Sequence, residues 1–170
     1  LNPEFVEAHY NLGCTLQMLG RLEDAERSLR KAIMLNSEFA AAHNSLGVIL
    51  QELGRLKEAE ETLKEVIAKK SDYADPHNNL GIVLSQAGRL QEAETCYKRA
   101  ILLNYDFPEA HNNLGNVLKE QKKLDEAEAS YMRAAEYNLP KAFNNLGFLF
   151  VGQKDFTKAK NYYQKALILN

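Results

Sequence analysis

The chain is poor in the residues that mark crosslinked, membrane-spanning or nucleic-acid-binding proteins. Its 170 residues include no tryptophan, four prolines and two cysteines, and its net charge is −2. Cys14 and Cys96 show no spacing typical of a disulfide framework or a zinc site, so we interpret them as packed thiols. No apolar run approaches the roughly 20 residues of a membrane span. With so little net charge, we expect no nucleic-acid partner and no membrane insertion.

Motifs of catalysis are also missing. The sequence contains no serine between glycines, no phosphate-cradling glycine loop and no His-Glu-x-x-His. Its acidic clusters, Glu58–Glu61 and Asp125–Glu128, lie close to lysines and arginines, which is typical of solvated helix faces with local ion pairs. We therefore predict that the chain is not an enzyme and needs no cofactor.

What the sequence does have is a repeat. The pair Leu-Gly recurs at one constant interval and then once more at a slightly shorter one, and an alanine follows each leucine at a constant offset. The pairs begin at Leu12, Leu46, Leu80, Leu114 and Leu146, and the alanines are Ala25, Ala59, Ala93, Ala127 and Ala159. A fixed period of roughly 34 residues indicates stacked supersecondary units, which offer a long surface for binding.

Each unit is predicted to form two helices. The first carries apolar residues at helical spacing, as at Leu12, Leu16 and Leu19. A Gly-Arg-Leu break follows, at Gly20 in the first unit, where a glycine with positive φ suits a helix stop. The ten predicted helices are 4–19, 22–35, 38–53, 56–69, 73–87, 90–103, 107–121, 124–137, 140–152 and 155–169. The last junction is two residues shorter than the others, which predicts a tighter turn and a local change of stacking angle.

These positions resemble the tetratricopeptide repeat, a 34-residue helix-turn-helix motif. The resemblance implies an all-α fold, a right-handed α-solenoid of five repeats forming a single array over residues 1–170. The repeats would span about 6–39, 40–73, 74–107, 108–139 and 140–170, with 1–5 as the end of a preceding repeat. Since the chain stops at a similar closing turn, we expect it to be a segment of a longer protein, with a cytoplasmic location as the default.

Four histidines occupy one repeat position, where the family usually has an aromatic residue: His9, His43, His77 and His111. Equivalent residues of stacked helices lie at least the 8–10 Å of packed helices apart. Two ligands of one zinc ion each need about 2.0–2.1 Å to the metal. We therefore interpret the histidines as packing residues, not as metal ligands.

Asparagine recurs inside the first helices although it is a mediocre helix former. The candidate peptide-binding residues are Asn11, Asn44, Asn78, Asn79, Asn112, Asn113, Asn116, Asn144 and Asn145. In the family, first helices line the concave surface, and the asparagine just before each leucine is similar to the asparagine ladder in the repeat superhelix of O-linked N-acetylglucosamine transferases. Two interpretations remain open, because these amides could contact a ligand or could bridge neighbouring repeats.

The sequence thus predicts a protein-protein interaction module that binds an extended peptide segment in its concave groove. An asparagine side chain has one acceptor and two donors, which match the N–H and C=O groups of a peptide. Two alternatives are a substrate-targeting region of a larger enzyme, such as a glycosyltransferase, and a scaffold that self-associates through exposed repeat ends.

Overall fold

The computed structural model describes residues 3–169, except for the side chains of Pro3 and Glu4. Over that range the fold is all-α, with ten helices and no strand. The helices are α1 (Pro3–Met18), α2 (Leu22–Leu35), α3 (Ala40–Glu52), α4 (Leu56–Lys69), α5 (Ala74–Gln86), α6 (Leu90–Leu103), α7 (Pro108–Glu120), α8 (Leu124–Ala135), α9 (Pro140–Gly152) and α10 (Phe156–Ile168). The all-α, ten-helix prediction is confirmed. Leu1 and Asn2, part of the segment assigned to a preceding repeat, lie outside the described residues.

The helix boundaries agree with the predicted ones to within two residues. The largest differences are at the start of α3, predicted at 38 and found at Ala40, and at the end of α8, predicted at 137 and found at Ala135. The early end of α8 follows from the short last junction. Asn138 adopts a left-handed conformation there, with φ of 56°, whereas helices α2, α4 and α6 are each followed by a residue with φ between −145° and −138°.

The chain divides into two compact units, Leu1–Ala87 with helices α1 to α5 and Gly88–Asn170 with helices α6 to α10. In the first unit, α1 packs on α2 and α3 packs on α4, while α2 contacts α3 and α4 contacts α5. In the second unit, α7 packs on α8 and α9 packs on α10, while α6 contacts α7 and α8 contacts α9. First helices also touch one another within a unit, as α3 touches α5 and α7 touches α9.

In four of the repeats, at Gly13, Gly47, Gly115 and Gly147, the glycine of the Leu-Gly pair sets the distance between the two helices. A Cβ built on Gly47 would lie 2.6 Å from Cγ of Leu63, and one built on Gly115 would lie 2.6 Å from the Tyr131 ring. Real carbon atoms do not approach so closely without a shift of their neighbours. Leu63 and Tyr131 are fully buried, so the large side chain of the second helix fills the space that the glycine leaves.

The breaks between the two helices of a repeat depend on a left-handed residue. Gly54 has φ of 75°, and nothing lies within 4 Å of where its Cβ would be. At the corresponding places in the second unit, Lys122 and Lys154 have φ of 64° and 61°. A residue with a Cβ pays roughly 1–2 kcal/mol for this conformation, so the fold imposes the turn even where the sequence lacks glycine.

The glycine contact predicts the effect of one methyl group. We expect Gly115→Ala to lower the free energy of unfolding by about 1–3 kcal/mol, because the added Cβ overpacks against the Tyr131 ring. The matched control is Gly152→Ala at the end of α9, where nothing lies within 4 Å. Urea unfolding of both variants checks this, and equal stabilities for the two would contradict the proposed contact.

The left-handed lysine predicts a stabilising change. Lys122→Gly removes the Cβ strain at φ of 64°, so we expect it to raise the free energy of unfolding by about 1 kcal/mol. Lys119→Gly, in the last turn of α7, serves as the control and should instead lower it by up to about 1 kcal/mol, the cost of glycine in a helix. Thermal melts of the two variants should shift in opposite directions.

Candidate functional site

The predicted asparagines all lie on first helices, but they differ in exposure. Asn78 and Asn112 are buried, with 6% and 5% of their surface exposed. Asn11 and Asn144 are exposed. The other five, Asn44, Asn79, Asn113, Asn116 and Asn145, are partly buried. The same residue type therefore occupies three environments, which the sequence pattern does not distinguish.

In the first unit, two asparagines connect successive first helices. The side-chain nitrogen Nδ2 of Asn79 on α5 donates to Oδ1 of Asn44 on α3 over 2.9 Å. Nδ2 of Asn78 donates to Oδ1 of Asn79 over 3.4 Å. The space beside Asn79 has a volume of only about 40 Å³. These side chains thus bridge two helices and leave little room for a ligand.

In the second unit, the corresponding bridge between first helices includes more side chains and more hydrogen bonds. Nδ2 of Asn145 on α9 donates to two side chains of α7, to Oδ1 of Asn112 over 2.9 Å and to Oδ1 of Asn116 over 3.2 Å. The hydroxyl of Tyr131 on α8 also donates to Oδ1 of Asn116 over 2.8 Å. A buried amide needs such partners, so this network supports the fold whether or not a ligand binds.

Beside this bridge lies a depression with a volume of about 730 Å³. We call it the amide pocket. It is formed by α7, α9 and α10, and its lining is Asn112, Asn113, Asn116, Pro140, Lys141, Asn144, Asn145, Tyr163, Ala166 and Leu167. Five of the nine predicted asparagines therefore meet at one place. The remaining four lie in the first unit.

Five lining residues are not among the candidates predicted from the sequence: Pro140, Lys141, Tyr163, Ala166 and Leu167. Lys141 lies one turn before Asn144 and Asn145 on α9, so helical spacing alone could have found it. Tyr163 occupies the repeat position of Leu29 and Tyr131, which are fully buried. Tyr163 itself is only partly buried and lines the pocket.

The histidines are packed as interpreted from the sequence in three of the four repeats. His43, His77 and His111 are between 6% and 9% exposed, and His9 is partly exposed. The Nε2–H of His111 lies 3.1 Å from the backbone oxygen of Tyr105, and burial lowers the pKa of His111 in spite of this bond. Among the described residues, no group of three or more His, Cys, Asp or Glu side chains is placed to hold a metal ion.

Glu94 is the second unit's buried carboxylate, only 4% exposed, and perturbed groups of this kind are candidates for function. Its oxygens accept from Lys98 over 2.6 Å and from Lys123 over 2.9 Å. Burial alone would raise its pKa, but these hydrogen bonds outweigh burial and lower the pKa of Glu94 to about 2. Because both oxygens are engaged by lysines of the chain, we interpret Glu94 as a structural group that connects α6 to the start of α8.

The first unit repeats this contact. Arg55, which precedes α4, binds Glu26 of α2 over 2.7 Å. The two pairs, Glu26 with Arg55 and Glu94 with Lys123, each span 29 residues. They are contacts between neighbouring repeats, which a solenoid uses for nearest-neighbour stability.

Comparison with protein families identifies the class. Models of the tetratricopeptide repeat match residues 6–39, 38–101, 78–143 and 140–170. Together these matches cover the chain from residue 6 to its end, so the chain belongs to the tetratricopeptide repeat family. This membership indicates a module for protein–protein interaction. A comparison with curated proteins gave no match.

Solved structures with the same fold include PilF of Pseudomonas aeruginosa, with a TM-score of 0.89 and 26% identity over 99% of this chain and 78% of that one. A thermophilic tetratricopeptide repeat protein of Thermus thermophilus has a TM-score of 0.85 and 24% identity over 96% and 91% of the two chains. YrrB, described as a tetratricopeptide repeat protein with an unusual peptide-binding site, has a TM-score of 0.68 and 26% identity over 95% and 84%. None of the described helices combines the length and apolarity that crossing a membrane requires.

The lowered pKa of Glu94 predicts how its contribution to stability depends on pH. The stabilisation is complete above the ordinary pKa of 4.5 and is lost as the pH falls toward the folded-state value of about 2, because the folded protein binds this proton less readily than the unfolded chain. We expect Glu94→Gln to lower the free energy of unfolding by about 2 kcal/mol near neutral pH. The difference should shrink steadily in urea titrations carried out at successively lower pH. Glu109→Gln, at an exposed site on α7, serves as the control and should change the free energy of unfolding near neutral pH much less.

Proposed function

We propose that the chain is a protein-interaction module that binds an extended peptide segment, and that the amide pocket of the second unit is the place where the segment binds. The observation that carries this proposal is the meeting of Asn112, Asn113, Asn116, Asn144 and Asn145 around one depression of about 730 Å³. Pockets of roughly 300–1,000 Å³ are typical of sites for drug-sized ligands, which is room for a few residues of a peptide.

The chemistry of the lining suits a peptide backbone. Amide side chains carry donors and acceptors that complement the N–H and C=O groups of an extended strand. Asn144 supports this interpretation best, since it is exposed, lines the pocket and makes no hydrogen bond with another described residue. The side chain of its neighbour Asn145 instead donates hydrogen bonds to two asparagines of α7.

The comparisons support the same proposal in a general way. YrrB, 26% identical, is described as having an unusual peptide-binding site. We extend only the class of ligand from that protein to this chain. The residues of the proposed site are argued from the geometry of the amide pocket.

Two adjacent asparagines provide a test that separates binding from scaffolding. The probe is a linear peptide selected on the 170-residue chain from a displayed random library. We expect Asn144→Ala to weaken its binding by about 0.5–1.5 kcal/mol, or roughly 2- to 13-fold, with an unchanged melting temperature. Asn145→Ala should lower the free energy of unfolding by about 1–2 kcal/mol, because two hydrogen bonds to α7 are lost.

The control is Asn161→Ala, an exposed position on α10 outside the pocket lining, which should change neither quantity. Affinity is measured by calorimetry and stability by thermal melt. If Asn144→Ala binds the selected peptide as tightly as the unmodified chain does, the pocket is not the binding site.

A further inference from the structure

A second pocket lies in the first unit, between the start of α3 and the end of α4, and has a volume of about 160 Å³. We call it the histidine pocket. Its lining includes Ser37, Ala40, His43, Val66, Lys69 and Lys70. Helix α2 packs on α3 and helix α5 packs on α4. The repeat that holds this pocket therefore has both of its neighbours in place, and the pocket is open in their presence.

Two repeats later, the chain itself fills the equivalent place. Tyr105 occupies the position of Ser37, and His111 occupies that of His43. The Tyr105 and His111 rings meet edge to face with 6.0 Å between their centroids, and the guanidinium of Arg133 lies 4.4 Å from the centre of the Tyr105 ring. An aromatic ring thus lies beside this histidine in the second unit, whereas Ser37 supplies none in the first.

The loop before the first helix is anchored alike in both places. Lys69, at the end of α4, binds Glu38 over 3.3 Å. At the equivalent position of the second unit, just after α8, the Tyr137 hydroxyl donates to Asp106. Both pairs are 31 residues apart along the chain. Because the anchor is shared, the tyrosine of the second unit shows what kind of group the open pocket of the first unit can hold.

The size and the apolar part of the lining suit one aromatic ring. A cavity of about 150 Å³ holds a benzene molecule, and the histidine pocket is of that size. Ala40 and Val66 contribute aliphatic surface, and the ring of His43, which is only 6% exposed, is held in place by the hydrogen bond that its Nδ1–H donates to the backbone oxygen of Phe39 over 3.2 Å. An incoming ring would meet a wall that is already ordered.

The charges of the lining complement the face of an aromatic ring. The charged side chains are two lysines and one glutamate, so cations are in excess. Lys69 is paired with Glu38 and Glu65, whereas Lys70 is exposed and forms no ion pair with a described residue. Nζ of Lys70 already lies 5.4 Å from the centre of the Tyr73 ring. A lysine is attracted to the electron-rich face of a ring, as Arg133 is to Tyr105 in the second unit.

We propose that the histidine pocket binds one aromatic side chain, phenylalanine or tyrosine, of a partner protein. The ring takes the place that Tyr105 has in the second unit, beside His43 and within reach of the lysines. This site is separate from the amide pocket, which lies in the other unit, and the inference does not rest on the proposed peptide site.

The test uses the whole 170-residue chain labelled with nitrogen-15 and two tripeptides with blocked ends, Gly-Tyr-Gly and Gly-Leu-Gly. Chemical-shift titrations detect affinities as weak as millimolar and report which backbone amides move. We expect the tyrosine tripeptide to shift the signals of Ala40, His43 and Lys70. It should bind roughly 2- to 13-fold more tightly than the leucine tripeptide, because ring contacts add to the area that either side chain buries.

Two changes at one position provide the matched pair. Ser37→Tyr should abolish the shifts, because the chain's own ring then fills the pocket as Tyr105 does in the second unit. Ser37→Ala leaves the pocket open and should retain them. The reverse change, Tyr105→Ser, opens the equivalent place beside His111. It should make the His111 amide respond to the tyrosine tripeptide, which it does not do in the unmodified chain.

Four results would overturn the inference. They are equal binding of the two tripeptides, shifts that survive Ser37→Tyr, no shift at the histidine pocket with the tyrosine tripeptide, and no response at His111 in folded Tyr105→Ser. Inorganic phosphate is titrated in parallel, and tighter binding of phosphate than of the tyrosine tripeptide at the same amides would identify an anion site instead. The proposed function is tested separately, since Asn144→Ala reports on the amide pocket.

Discussion

The close approach of a glycine on the first helix to a large side chain on the second helix, seen at Gly13, Gly47, Gly115 and Gly147, is the contact on which the rest of this structure depends. At Gly47 and Gly115 the partners, Leu63 and Tyr131, leave no room for even a methyl group. This contact fixes how the two helices of a repeat pack, and it thereby fixes which residues of the first helix remain for neighbouring repeats and for solvent. Asn144 and Asn145 flank such a position, just before Leu146 and Gly147, so their surroundings follow from it.

Some asparagines of the first helices bridge neighbouring helices, whereas others are exposed. Asn145 of α9 donates to Asn112 and Asn116 of α7, and Asn79 of α5 donates to Asn44 of α3. These bridges make part of the pocket wall rigid, which reduces the entropy that a ligand must remove when it binds. The exposed amide of Asn144 then remains as an adaptable group on an ordered surface. The bridging interpretation of the asparagine pattern thus holds for these residues, whereas ligand contact is proposed for Asn144.

Ion pairs connect neighbouring repeats, and the last repeat has an acidic residue at the position where the earlier repeats have a basic one. The pairs Glu26 with Arg55 and Glu94 with Lys123 connect neighbouring repeats at the same separation along the chain. In the last repeat the basic position is taken by Asp155, which instead accepts from the backbone N–H of Lys158 and caps α10. Among α2 to α10, α10 is the one helix with a side-chain cap of this kind. A contact between repeats has been replaced by one within the repeat.

The sequence by itself determined the ten helices and the repeat, because apolar spacing and the Leu-Gly period act through local geometry that recurs in every unit. It also indicated the family and the helix on which each candidate asparagine lies. It did not distinguish Asn144 from Asn145, identify Lys141 and Tyr163 as pocket residues, or show that Glu94 is a buried carboxylate held by two lysines. Those differences arise when residues about one repeat apart in the chain come into contact. Only the tertiary structure decides which side chains meet at these contacts, since asparagines on the same helix can be hydrogen-bonded at one position and exposed at the next.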